Sequence, residues 1–346
     1  MKFTIGYQLA ERDEEPFPDL IASYRDHIAE LYFPWMDMPT GRSALSVRRG
    51  YTDWTAQERL EKDLLAIKKT GIKLDLLLNA NCYGDAALSK ALANKVISIL
   101  DYLGERLNGV DVVTAASPFI AHVIKTHFPE VEIRASVNMR IGTVKGMEYM
   151  TDLFDSFYAQ REYNRNITVL TELKTWAQSH GKTMLLLANS GCLNFCSGQT
   201  FHDNLVAHEA GCGETDNLEG FTPHTCWRYF NDRNNWPAVL QNSWIRPEDI
   251  HHYEGLVNAM KLATRMHALP GMVLQAYCSG SYYGNLLDLC EPGFGPVFAP
   301  EVIENSAFPA DWFEKTSACD KQCHRCDYCA DVLKQTLITT EGDNDV

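Results

Sequence analysis

The residue types best able to do chemistry in this chain are two sets of cysteines. The first is Cys192-Leu-Asn-Phe-Cys196, followed by Cys212 and Cys226, in a polar segment rich in Gly, His and Cys; Cys82 stands apart, just after the apolar run at 74–78. The second is Cys319, Cys323, Cys326 and Cys329, four cysteines within eleven residues. Thiolates are soft ligands, and C-x2-C repeats suit both tetrahedral zinc and cubane iron–sulfur clusters. Cys192 and Cys196 have Gly, Ser and Asn as neighbours, which offer no apolar site for a free thiol, so ligation is the expectation there. Cys278 and Cys290 lie in apolar runs and read as small buried hydrophobes. Cys319, Cys323 and Cys326 also match the C-x3-C-x2-C spacing of radical S-adenosylmethionine enzymes. In that family, however, the loop follows the first barrel strand and leaves one iron open, whereas here Cys329 can fill the fourth place. A structural or electron-transferring centre is expected, a second four-iron cluster or a zinc.

Metal ligation also fits the cysteine count. Eleven cysteines without a basic, apolar leader imply a reducing compartment, where structural disulfides are rare, so a cytoplasmic location is expected. The N-terminus is followed by acidic residues, and no run approaches the length of a membrane span. A net charge of −14 repels polyphosphate, which argues against broad non-specific nucleic-acid binding. With 45% hydrophobic and 11% aromatic residues over 346 positions, the chain can bury one large core and carry an appendage.

Short apolar runs alternate with helical patterns along the first two thirds. Strands are expected to begin at Phe3, Ile28, Leu74, Val110, Glu132, Asp155, Lys182 and Ala259, about eight βα units, the number for a closed (β/α)8 TIM-like barrel. A doubly wound sheet is the competing architecture. Between the strands, Thr55 and Glu58 suggest a capping box, Leu88 to Leu107 repeat at helical spacing up to Asn108 and Gly109, and helices are expected over 118–127 and 168–180. A further strand is expected near Val239. Residues 1–299 then form the barrel, 300–339 a cysteine-rich appendage and 340–346 an acidic, frayed tail. Loops after barrel strands build active sites, so Cys82 and the segment after 188 should open on one face.

Several stretches resemble the collagenase-like peptidase family U32. They are LNANC at 78–82, EYNRN at 162–166, LLLANSGCLNFCSGQTFHDN at 185–204, Cys226, SWIRPEDIHHYEGL at 243–256, MKLATR at 260–265 and SYYGNLLDL at 281–289. The better understood branches are oxygen-independent hydroxylases of RNA bases and quinone precursors. The resemblance implies a barrel and a four-iron cluster (4Fe-4S) held by Cys192, Cys196, Cys226 and a fourth cysteine, Cys82 in preference to Cys212. It also implies a carboxylate-bearing oxygen donor such as prephenate. The RNA-modifying branches carry a cysteine pair where this chain has only Cys226, so their substrate does not transfer.

Arg246, Lys261 and Arg265 fall at or beyond late strand ends and suit a carboxylate. Arg246 can instead pair locally with Glu248 or Asp249, and Lys261 and Arg265 can be strand-end ion-pair partners. Arg42 is a weaker candidate. His202 can donate a proton or bond a cluster sulfur, or merely cap its loop. The expected substrate is a small molecule, quinone-like compound, nucleobase or peptide, with an electron donor or homologous subunit as partner. The alternatives are a non-catalytic electron-transfer or scaffold protein, with iron–sulfur or zinc centres, and a protease. The chain has no GxSxG elbow or HExxH, and a catalytic Cys192 or Cys196 would have to be free of metal.

Overall fold

The structure, a computed structural model, describes residues 1–10, 14–36, 38–40, 53–213 and 215–339. Arg42 and the tail at 340–346 lie outside the described residues. Eight strands, β1 (Phe3–Gly6), β2 (Ile28–Pro34), β3 (Lys73–Leu78), β4 (Val112–Ala115), β5 (Glu132–Ala135), β6 (Ser156–Tyr158), β7 (Thr183–Leu187) and β8 (Ala259–Leu262), pair in parallel and in chain order. β8 closes on β1, with Phe3 opposite Met260 and Ile5 opposite Leu262. The expected (β/α)8 barrel is therefore what the chain forms, each of its strands beginning within two residues of the expected position.

The helices follow from local chemistry. The first six are α1 (Phe17–Ser23), α2 (Trp54–Lys68), α3 (Lys90–Leu107), α4 (Pro118–His127), α5 (Val144–Glu148) and α6 (Ile167–Ser179). Ser89, Ser117 and Asn166 cap α3, α4 and α6 by accepting from the amides of Leu92, Ile120 and Val169. Asn108 ends α3 in the left-handed region at φ 56°, as an Asn before Gly can. The capping box expected at Thr55 and Glu58 is corrected. Asp53 caps α2, its carboxylate accepting from the amides of Thr55 and Ala56, which places Thr55 inside the first turn.

After β7 come α7 (Gln199–Ala207), α8 (Glu209–Gly213), α9 (Thr225–Phe230) and α10 (Ala238–Gln241), and after β8 come α11 (Pro270–Ser279), α12 (Gly295–Phe298), α13 (Trp312–Ser317) and α14 (Tyr328–Thr336). The strand expected near Val239 is instead α10: Trp236, Val239 and Leu240 bury on one face at helical spacing. A two-stranded antiparallel sheet joins β9 (Glu301–Ile303) to β10 (Leu337–Thr339).

Two apolar cores result. The larger lies between barrel and helices; the smaller gathers Phe230, Trp236, Trp244, Leu286, Phe294, Trp312 and Leu333. Residues on both sides of position 300 build that smaller core. Cys290 is buried within it, and Cys278 packs against the larger one. No helix among the described residues is long and apolar enough to cross a membrane.

Candidate active site at the barrel mouth

A cavity of about 160 Å³ opens where the strands end. β8 supplies Lys261 and the turn after it Arg265, β2 supplies Tyr32, the turn after β6 supplies Arg161, the segment after β7 supplies Cys192, and α7 supplies His202. Four residues expected from the sequence (Cys192, His202, Lys261 and Arg265) thus line one cleft.

Below that cleft the barrel interior is charged. Inward-facing positions of neighbouring strands carry Glu30, Asp75, Thr114, Arg134, Ser156, Tyr158 and Lys261, all buried. Burying ions costs several kcal/mol each unless they are paired and hydrogen-bonded, and here they are. Arg134 donates to both carboxylate oxygens of Glu30, to Glu132 at 2.6 Å and to the Ser156 hydroxyl at 2.9 Å. Asp75 lies 3.9 Å from the same guanidinium and accepts from the Thr114 amide at 3.0 Å and hydroxyl at 2.8 Å. Burial pushes the Asp75 carboxyl up to about 6, against the pull of Arg134.

Lys261 tops this layer. Its Nζ sits 3.7 Å from the centre of the Tyr32 ring and 5.3 Å from that of Tyr158, both within cation–π range. Burial draws the amine down to about 8; Asp75 opposes this and Arg265 reinforces it. Arg265 reaches Thr40 at 3.5 Å. Its approach depends on Gly6, where a Cβ would come within 2.7 Å of the Tyr32 ring and 2.8 Å of the Arg265 Cβ.

The cysteine segment is latched over this mouth by α7. Asp203 accepts from Arg140 at 2.9 Å and from Asn81, the residue before Cys82, at 3.3 Å. His202 packs against His224, ring centres 4.5 Å apart. Burial pushes the Cys226 thiol up to about 11, with the neighbouring Cys192 and Cys196 acting in the same direction. Gly198 permits that meeting: a Cβ there would collide with Thr225 at 2.3 Å and lie 3.7 Å from the Cys196 sulfur. Cys82, on the loop after β3, accepts at its sulfur from the Gly84 amide at 3.4 Å; Cys212 is in α8, and neither lines the cleft. As placed, no three His, Cys, Asp or Glu side chains among the described residues close into a metal cage. The segment nevertheless leaves Ser190 Oγ, Asn194 Oδ1 and His224 Nδ1 buried without a hydrogen-bond partner. The hydroxyl, and an imidazole protonated at that nitrogen, would suit the sulfurs of a cluster.

Arg246 lies elsewhere. It donates to Asn305 at 3.0 Å and 3.1 Å, pairs with Glu248 at 3.3 Å and faces the Phe308 ring. This is the local pairing that its neighbours in sequence allowed. Sequence reasoning missed Arg161 and the charged interior. The available signal was polar residues at every second position of otherwise apolar strands, as in Glu132 with Arg134 and Ser156 with Tyr158.

No protein-family model matches the chain. An uncharacterized protease of Methanocaldococcus jannaschii is 23% identical over 286 residues, covering 81% of this chain and 82% of that protein. The solved structure of a U32 peptidase superposes with a TM-score of 0.54 at 17% identity, over 75% of this chain and 91% of that one. The first is a distant relative that carries a protease name, and the second shows a shared barrel fold. The U32 structure speaks to the barrel alone, and the segment that follows β7 brings Cys192 into the same cleft as Lys261 and Arg265.

Proposed function

We propose that the chain is a U32-type enzyme whose mouth holds a four-iron cluster on Cys192, Cys196, Cys226 and Cys82. In this reading it transfers a hydroxyl group, without molecular oxygen, from a carboxylate-bearing, prephenate-like donor to a small organic substrate. The observation that carries the reading is the meeting of Cys192 with the cations Arg161, Lys261 and Arg265 in one cleft. The transfer balances as donor–OH plus substrate–H giving donor–H plus substrate–OH. When bound, the cluster would supply Lewis-acid or redox activation beside the donor. Arg265 offers a planar fork to the carboxylate, and Lys261, held against Tyr32, adds a charge that a desolvated anion strengthens. His202, in the same cleft, is placed to take the proton given up by the substrate carbon and pass it to the donor carbon that loses the hydroxyl. The acidic surface favours a quinone-like compound, nucleobase or peptide over a large RNA.

Anaerobic purification with iron and sulfide analysis tests the centre: about four irons per chain, lost in Cys192→Ala, is expected. Prephenate binding, by calorimetry, should weaken at least about tenfold in Arg265→Met. No iron after anaerobic reconstitution sinks the reading.

One observation favours a second reading. Cys192 and His202 share the cleft, as a thiol protease would require, and the relatives carry protease names. Peptide hydrolysis by the metal-free chain, abolished in Cys192→Ala, would decide for it.

A further inference from the structure

Arg165 is 3% exposed, and its guanidinium lies against two mutually stacked indoles, 5.1 Å from the Trp244 ring centre and 5.2 Å from that of Trp312. Only Nη2 has acceptors, the carbonyl oxygens of Leu240, at 3.0 Å, and Asn242. Nε and Nη1 are buried with none. A buried cation with two idle donors is among the costliest arrangements a protein can hold; the buried Asp249 carboxylate offsets part of that cost, but Nε and Nη1 still lack an acceptor.

The C-terminal cysteines are what lies there. Trp312 stacks on Tyr328, and Cys329, the next residue, packs against the same aromatic core. Cys329 and Cys319 lie close enough to Arg165 that, as thiolates, their charge would offset its burial, alongside that of Asp249. The loop between them is folded tightly. The Lys321 amide donates to the Cys319 sulfur at 3.3 Å with Lys321 in the left-handed region at φ 60°, and Cys323–Arg325 forms a single 3-10 turn.

We propose that Cys319, Cys323, Cys326 and Cys329 bind one metal centre as four thiolates, and that Arg165 is its buried counter-cation and hydrogen-bond donor. Four thiolates around a dication, or around a four-iron core of the same charge, leave a net charge of about −2, the complement the guanidinium lacks. The same residue ties the centre to the mouth. Arg165 donates to the Asn242 carbonyl, and Asn242 Nδ2 donates to the carbonyl of Gly191, next to Cys192, at 2.7 Å. The inference does not depend on what the mouth does.

The test is metal content of the full chain, purified anaerobically, with release followed by bathophenanthroline disulfonate for iron and pyridylazoresorcinol for zinc. Cys323→Ala should lose one centre that Cys192→Ala keeps, and the metal released identifies it as iron–sulfur or zinc. Arg165→Gln should release that centre about tenfold faster or more, the range for losing a partner outside the ligands. Arg165→Lys, which keeps the charge but not the fork, should fall between and carries the test if Arg165→Gln does not fold. Unchanged metal content in Cys323→Ala, or wild-type release rates in the folded Arg165 variants, overturns the proposal.

Discussion

The ammonium of Lys261 rests 3.7 Å from the centre of the Tyr32 ring, while Asp75, on the strand beside Tyr32, is the strongest influence that favours its charge. The cation at the floor of the cleft is thus held by an aromatic face and a buried carboxylate together. In Asp75→Asn the Lys261 amine should therefore titrate below about 8, as read by NMR of 15N-labelled lysine side chains. An unchanged or higher midpoint would show that the two do not communicate.

Stability should bend twice with pH. Asp75 is pushed up from 3.8 to about 6, so the folded state holds its proton more tightly, and stability falls as pH rises across that window. Lys261 is drawn down from 10.5 to about 8, so the unfolded state holds more protons between those values, and stability rises again there. The second gain is at most about 3–4 kcal/mol, given about 1.4 kcal/mol for each pH unit. Urea midpoints across pH for wild type and Lys261→Met should show the alkaline rise in the first and its absence in the second.

Arg134→Met strands Glu30 and Asp75 in the barrel and should cost about 3–5 kcal/mol at neutral pH. Because Arg134 restrains the upward shift of Asp75, the loss should shrink on acidification as that carboxyl protonates. Equal losses at neutral and acid pH would contradict the assignment.

Arg246 and Arg265 should separate cleanly. Arg246→Ala breaks the contacts with Asn305 and Glu248 and should lower stability by about 2–4 kcal/mol while leaving prephenate affinity intact. Arg265→Ala should weaken that affinity with little effect on melting temperature. The reverse pattern would move the anion seat away from the cleft.

Gly6→Ala forces a methyl between Tyr32 and Arg265. Overpacking of this kind costs about 1–3 kcal/mol, and anion affinity should fall as well, since the displaced groups are the ones that line the cleft. Calorimetry and thermal melts on one preparation check both.

The barrel was legible because buried parallel strands are short apolar runs separated by capped helices, and the caps at Ser89, Ser117 and Asn166 stand in the sequence as written. Lys261 and Arg265 were legible as strand-end cations for the same reason. What sequence reasoning missed has a common origin: the meaning of Glu30, Asp75 and Arg134 depends on partners up to 104 residues away, and no local pattern announces such a pairing. Val239 misled because a four-residue helix is too short to display its period. Arg165 looked like any charged residue beside a helix start, and its idle Nε and Nη1 emerge only once Trp244 and Trp312 pack against it.

The smaller core is built from residues around 226–244 and around 286–337, and β10 completes its sheet from the far end of the described chain. During synthesis the eight barrel strands are therefore all made before the wall behind the cysteine segment exists. Trp244 waits for Trp312, and Glu301–Ile303 waits for Leu337–Thr339. The wall behind the mouth is completed last, so a fragment ending near residue 300 would hold the barrel and the mouth residues but leave Trp244 without the Phe308 and Trp312 rings that cover it.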